Sequence, residues 1–287
     1  MPELPEVETV CRGLRQTVVG KNITAVRVNA PKSTITVSRS FGRNDLATAL
    51  NGRTVLGVDR RGKNILIRLS GDTTLWVHLK MTGHFFYEEN DFTAEKHDLV
   101  TFELTQPSGG ENSRAYLRFN DYRRFGRIRL YRNKELLKQS GLTDLGPEPL
   151  EISKHAFIDL CRRRPRMFKP ALLDQTLLAG VGNIYADESL WAARLHPKRL
   201  TTTVSPEKLA ELYRHIRKIL RLAIRRNGTS VDSYSNVNGE AGSFQKCLKV
   251  YAREGLPCPR CGARIVRRKI GSRSAHYCPK CQRLSKS

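Results

Sequence analysis

GLTDLGPEPLE, residues 141–151, separates two stretches of chain that follow different periods. Before it, short β-branched segments alternate apolar and polar residues: ITAVRV (23–28), TVLGVDRRG (54–62), NILIRL (64–69), TLWVHLKM (74–81), LVTFELT (99–105), AYLRF (115–119) and RIRLYR (127–132). Alternation of this kind is the mark of half-buried strands. QPSGGENSR, between the fifth and sixth, is rich in turn formers and predicts a hairpin connection. Seven short strands point to a sandwich or a barrel-like sheet.

After the Pro/Gly-rich hinge the period becomes helical. AFIDLCRRR (156–164), KPALLDQTLLAG (169–180) and IYADESLWAARL (184–195) read as helices, the last ended by His196-Pro197. SPEKLAELYRHIRKILRLAIRRNG (205–228) is the clearest, with Ser205 as N-cap, Pro206 in the first turn and Asn227-Gly228 as the stop. SYSNVNGEAGSF (233–244) is polar, Gly-rich loop. Strands segregated from helices make the class α+β.

The N-terminus supplies one more helix. In PELPEVETV, Pro5 suits a first turn and Glu6 and Glu8 complement the helix dipole. Val7, Val10, Cys11, Leu14 and Val18 recur at spacings of three and four, so a helix over about 4–19 is expected. Pro2 and Glu3 lie ahead of that helix and need another explanation.

The balance of 51 Lys and Arg against 27 Asp and Glu, a net charge of +24, marks a partner that is a polyanion. No run of apolar residues is long enough to span a bilayer, and the start lacks the layout of a secretory signal. A soluble, cytoplasmic protein with no membrane partner is expected.

Seven cysteines fit reduced thiols better than a disulfide framework. Cys258, Cys261, Cys278 and Cys281 form two CxxC knuckles sixteen residues apart, the spacing of a Zn²⁺ tetrahedron. Closed by four thiolates, the zinc is expected to be structural. The segment 258–287 carries nine Lys or Arg and no acid, so the finger stays positive around its metal.

Other candidates gain weight together. Free N–H groups at the helix start after Gly180-Val-Gly182, with Asn183 beside them, favour a phosphate oxygen. Asp121-Tyr-Arg-Arg-Phe-Gly126 sets Phe125 among arginines in a loop, and Met81 ends a strand; either side chain could wedge into a base stack, although each, taken singly, suits a core. Lys63 and His78, taken singly, suit a solvated charge and a satisfied strand histidine.

PELPEVET, GKNIL, HLKMTG, DYRRFG, LGPEPL, LLAGVGNIYADE, GTS…NGEAGSFQ and the closing CxxC pair occur in that order. From Pro2 to about Arg283 this resembles the bacterial formamidopyrimidine-DNA glycosylase family. One departure is Tyr122, where the family usually has proline; it bears on loop stiffness more than on chemistry. Leu4 in place of the glycine of PEGPE, with RRFG, favours the purine-lesion branch over the endonuclease VIII branch.

The resemblance implies an N-terminal catalytic β-sandwich (2–135), a hinge (136–151), a helix-two-turn-helix domain with a lesion-capping loop (152–243) and a zinc finger (244–287). It implies a monomer, nucleoid-associated, acting on damaged duplex DNA in base excision repair, as a glycosylase and apurinic/apyrimidinic lyase. Pro2, after removal of Met1, would be the amine nucleophile, Glu3 a general acid/base, and Glu6 the group that holds the terminus. Lys63, His78, Asn183 and Arg273 would contact phosphates, with Lys63 and Arg273 also candidate proton donors in elimination. Met81, Arg123 and Phe125 would fill the gap left by the extruded base. His97, Arg164 and Lys169 match further DNA-contact positions. The rivals are an oxidised-pyrimidine glycosylase and a non-catalytic nucleic-acid-binding zinc protein.

Overall fold

The computed structural model describes residues 1–30, 34–42, 45–89, 92–106, 114–230 and 236–284. The chain forms two compact units: residues 1–143 with 226–243, and residues 144–225 with 244–287.

In the first unit α1 (Leu4–Thr17) precedes β1 (Asn22–Val28), β2 (Ile35–Val37), α2 (Leu46–Leu50), β3 (Val55–Arg61), β4 (Asn64–Leu69), β5 (Thr73–His78), β6 (His84–Glu89), β7 (Asp98–Thr105), β8 (Arg114–Asn120), β9 (Arg127–Arg132) and α3 (Asn133–Ser140). Two sheets form, in the orders β1-β7-β8-β6 and β2-β9-β5-β4-β3. Every pairing is antiparallel except that of β2 with β9. One apolar cluster joins both: Phe85, Phe102 and Phe119 from the first sheet, and Ile65, Val77, Ile128 and Leu130 from the second. The open choice between sandwich and barrel therefore resolves to a sandwich. Val7, Val10, Cys11, Leu14 and Val18 enter the same core, as their spacing requires.

β7 and β8 are antiparallel neighbours, as a hairpin connection demands; residues 107–113 between them lie outside the described residues. β2, β6, α2 and α3 have no counterpart in the sequence-based expectation. In HFFYEE only Phe85 enters the core cluster, so the apolar signal of β6 is slight. α3 is an eight-residue helix with no buried residue, lying partly where a hinge is expected.

The second unit holds α4 (Lys154–Arg162), α5 (Phe168–Leu173), α6 (Asn183–Ala192), α7 (Pro206–Arg225) and a hairpin of β10 (Val266–Ile270) and β11 (Arg273–Tyr277). α7 buries Leu209, Leu212, Ile216, Leu220 and Ala223, and Ser205 Oγ accepts the Lys208 N–H at 3.4 Å. The helix expected over 169–180 stops at Leu173. There Gln175 takes over the backbone: its Nε2 donates to the Leu173 and Val181 carbonyls, and its Oε1 accepts the Gly180 N–H.

The segment 226–243, assigned from sequence to the helical domain, belongs to the first unit. Val237 is buried in the sandwich core, and its carbonyl accepts the Tyr87 N–H at 3.0 Å. Of the expected capping loop, 233–235 lie outside the described residues.

A candidate DNA-repair site and its zinc finger

α1 starts at a buried knot. Glu3 is its N-cap, Glu3 and Glu6 are each 2% exposed, and Pro2 is buried. Glu6 spends its two oxygens on backbone. Oε2 accepts the Glu3 N–H at 2.9 Å, one arm of a capping box, and Oε1 accepts the Thr229 N–H at 2.8 Å. The peptide that links Pro2 to Glu3 is thus tied to a segment more than two hundred residues away.

Around the same sandwich, Lys63 occupies the tight turn between β3 and β4 and is 8% exposed. His78 ends β5. Its Nδ1 accepts the Lys80 N–H at 3.0 Å, and burial, aided by Lys80 and Lys63, pulls its pKa down to about 3. A neutral imidazole with Nδ1 accepting carries its proton on Nε2, a donor suited to an anionic oxygen.

Met81 and Phe125 are exposed apolar side chains at 42% and 46%, which separates them from core residues. Asp121, wholly buried, organises both loops that present them. It accepts the Thr82 hydroxyl, the Arg123 N–H at 3.2 Å and the Gly126 N–H at 2.6 Å. A Cβ at Gly126 would stand 2.6 Å from the Phe119 ring, so the loop can close this tightly only on glycine. The Arg123 guanidinium lies 4.8 Å from the Phe125 ring centroid, and Tyr122 meets the edge of His97.

In the second unit Asn183 opens α6. Its carbonyl accepts the Lys169 ammonium at 2.9 Å, and its Oδ1 is buried without a partner among the described residues. Lys169 is 0% exposed and also bonds Asp187 Oδ1 at 2.6 Å. The expected DNA contact at Lys169 is therefore corrected: a buried ammonium paired with a buried carboxylate supports Asn183 from within. Asp187 Oδ2 accepts the His276 N–H at 3.0 Å, which fastens β11 to the same helix. Arg273, exposed, stands at the tip of the β10–β11 hairpin. Gly271 in that tip has φ +62° and packs so close to Pro170 that a Cβ would meet its ring at 3.3 Å. Arg164 is exposed just after α4. Asp187 and its neighbour Glu188, which accepts the N–H groups of Lys249, Val250 and Tyr251, escape sequence reasoning. Two acids inside an apolar helix are the signal that could have found them.

The sulfurs of Cys258, Cys261, Cys278 and Cys281 lie within 4.8 Å of one another, with Cys258–Cys281 at 4.0 Å and Cys261–Cys278 at 3.4 Å. Tetrahedral Zn²⁺ with bonds of about 2.3 Å sets its sulfurs about 3.8 Å apart, so the donor set fits one zinc. Trp191 Nε1–H donates to Cys258 Sγ at 3.4 Å and the Cys281 N–H to Cys278 Sγ at 3.3 Å, the outer support such thiolates need. Four thiolates leave no open position, and the zinc is structural.

A sandwich with a fixed N-terminal segment and exposed apolar side chains, joined in one chain to a helical unit with a basic zinc finger, fits one class: a zinc-finger DNA glycosylase. The chain matches the formamidopyrimidine-DNA glycosylase N-terminal domain over residues 1–128, the H2TH domain of those enzymes over 145–235, and the zinc finger found in FPG and IleRS over 255–284. Formamidopyrimidine-DNA glycosylase of Pelotomaculum thermopropionicum is 46% identical over 99% of this chain and 100% of its own. A Lactococcus lactis FPG variant in complex with Fapy-dG containing DNA superposes with a TM-score of 0.87 at 35% identity, covering 99% of this chain and all of that one. The complex of the same organism's enzyme with abasic-site DNA also gives 0.87, over 98% and 100%. The chain belongs to the formamidopyrimidine-DNA glycosylase family.

Proposed function

We propose that the protein is a bifunctional glycosylase and apurinic/apyrimidinic lyase that removes oxidised purines, 8-oxoguanine and formamidopyrimidines, from duplex DNA in the bacterial cytoplasm, acting as a monomer at the nucleoid. The observation that carries this reading is the pair of hydrogen bonds that Glu6 accepts from the Glu3 and Thr229 N–H groups, which fixes the Pro2–Glu3 peptide inside the protein.

With Met1 removed, Pro2 presents a secondary amine. That amine attacks C1′ of the damaged nucleotide, the C1′–N bond breaks, and the base leaves with a proton. Loss of the amine proton leaves a neutral aminal; the deoxyribose ring then opens, C1′–O4′ breaking as O4′ takes a proton, and the resulting iminium acidifies C2′. Departure of the C2′ proton expels the 3′ phosphate, and a second elimination expels the 5′ phosphate. Glu3, next to the nucleophile, is the general acid/base. Lys63 and Arg273 meet phosphates and supply protons to the leaving oxygens, and the neutral imidazole of His78 donates to a phosphate without adding charge. Asn183 binds phosphate, and Arg164 and His97 extend the contact with DNA. Met81, Arg123 and Phe125 fill the vacated stack, with Arg123 reading the orphaned cytosine.

Borohydride trapping on two labelled duplexes tests this, one with 8-oxoguanine opposite cytosine and one with thymine glycol. The expected result is a covalent adduct on the 8-oxoguanine duplex, absent in Pro2→Gly. An adduct mainly on thymine glycol would keep the nucleophile and overturn the substrate. No adduct from zinc-loaded protein with a confirmed Pro2 terminus would overturn the enzyme reading.

A further inference from the structure

The second unit contains a cavity of about 410 Å³ that neither Asn183 nor Arg273 lines. Its floor is apolar. Ile219 and Leu222 sit on the flank of α7, half-buried, and Phe244 and the indole of Trp191 complete the surface. Cations stand around it: Lys218, Lys246, Lys249 and Arg260. Among the described residues that line it, the single acid is Glu188, and both its oxygens accept backbone N–H groups of residues 249–251. His215 adds no charge at neutral pH, because burial holds its imidazole below the usual pKa.

These features select an occupant. Lysine and arginine heads with no free carboxylate among them attract an anion. The half-buried aliphatic and indole floor needs an apolar body to cover it, and a nucleic-acid backbone has none to offer. The volume falls within the roughly 300–1,000 Å³ usual for small-molecule sites. One wall is also pre-ordered. The Arg260 guanidinium lies 4.1 Å from the Trp191 ring centroid and donates to the Trp191 and Ala192 carbonyls, so indole and guanidinium are held before any ligand arrives.

We propose that this cavity is a binding site for planar aromatic anions, separate from the lesion chemistry. The rings lie on Trp191, Ile219 and Leu222, and the acidic group meets Lys218 and Lys246. Trp191 then reports occupancy directly.

The test uses zinc-loaded full-length protein carrying Trp76→Phe, which leaves Trp191 as its one indole. The probes are 8-anilinonaphthalene-1-sulfonate and the uncharged N-phenyl-1-naphthylamine, which share their rings and differ by the sulfonate. Expected is saturable energy transfer from Trp191 to the sulfonated probe, at least tenfold weaker for the neutral one. A Lys218→Glu/Lys246→Glu protein should weaken the sulfonated probe at least tenfold with its melting temperature unchanged, and Ile219→Arg should block both probes. Equal binding of the two probes, unchanged binding after charge reversal, or no saturable transfer would each overturn the proposal. Displacement by a short undamaged duplex would overturn it too, by assigning the cations to phosphate contacts.

Discussion

At the start of α1 the carboxylate of Glu6 is held by two backbone N–H groups; at the start of α6 the carboxylate of Asp187 is held by the Lys169 ammonium and the His276 N–H. The two knots look alike in burial and differ in charge. The two N–H groups that hold Glu6 are neutral dipoles, whereas Asp187 meets a cation. The ammonium cancels the charge of Asp187 in the second. A cationic iminium is stabilised by the first kind of support, whereas a phosphate at Asn183 would be repelled by an unpaired acid behind it. In the proposed mechanism one helix start would meet a developing cation and the other an anion.

The largest way to break this comparison is to dismantle the second unit's finger. Chelation of the zinc, or Cys258→Ser, should unfold residues 255–284, because metal binding of about 10 kcal/mol or more is folding free energy in such modules. Limited proteolysis should then cut within the finger, and affinity for an abasic-site duplex should collapse.

Next in size is the buried pair. Asp187→Ala takes the paired carboxylate from the buried Lys169 ammonium and should cost roughly 3–5 kcal/mol in urea unfolding, whereas Lys169→Met with Asp187→Leu should recover much of that. If the double variant is as stable as the parent yet binds DNA poorly, the pair serves the phosphate site rather than stability.

Glu6→Ala leaves the Glu3 and Thr229 N–H groups without their acceptor. It should cost roughly 1–3 kcal/mol and abolish trapping, and Glu6→Gln should regain stability more than activity. Such a split between the two variants would separate the charge of Glu6 from its role as an acceptor.

A smaller effect comes from pH. His78 has a pKa of about 3 in the folded protein against 6.5 for an ordinary histidine, so the unfolded chain binds the extra proton. Stability from this group is complete above pH 6.5 and declines as pH falls toward 3. Between pH 7.5 and 5 the loss should be roughly 2 kcal/mol. Urea unfolding followed by Trp76, with Trp191→Phe, should show it, and a His78→Gln protein should show a flatter profile.

Phe125→Ala should move the melting temperature least, within roughly 0.5 kcal/mol of the parent, since the ring is exposed. Its excision of 8-oxoguanine should nonetheless fall, which would mark Phe125 as a DNA-facing residue.

Long periodic elements are legible from sequence alone. NILIRL becomes β4 and RIRLYR becomes β9 without displacement, and α7 starts at the expected Ser205 cap and ends at Arg225, short of Asn227-Gly228. The four cysteines converge as their spacing requires. What escapes is whatever depends on tertiary neighbours. Nothing local distinguishes Lys169, buried to 0%, from a solvated lysine, or Asp187 from a surface acid on a helix. The path of 226–243 back to the sandwich is equally silent, because Val237 is one apolar residue in a polar loop. Conversely, Met81 and Phe125 look like core residues by type, and only their exposure sets them apart.

The bond between Glu6 and Thr229 also has a consequence for synthesis. A ribosome adding about 5–20 residues per second has made the nascent terminus long before its partner exists. Glu6 must wait for 223 further residues before Thr229 can close on it, and the sandwich waits longer still for Val237. The terminal segment is therefore untied throughout most of translation, and its link through Glu6 forms only near the end.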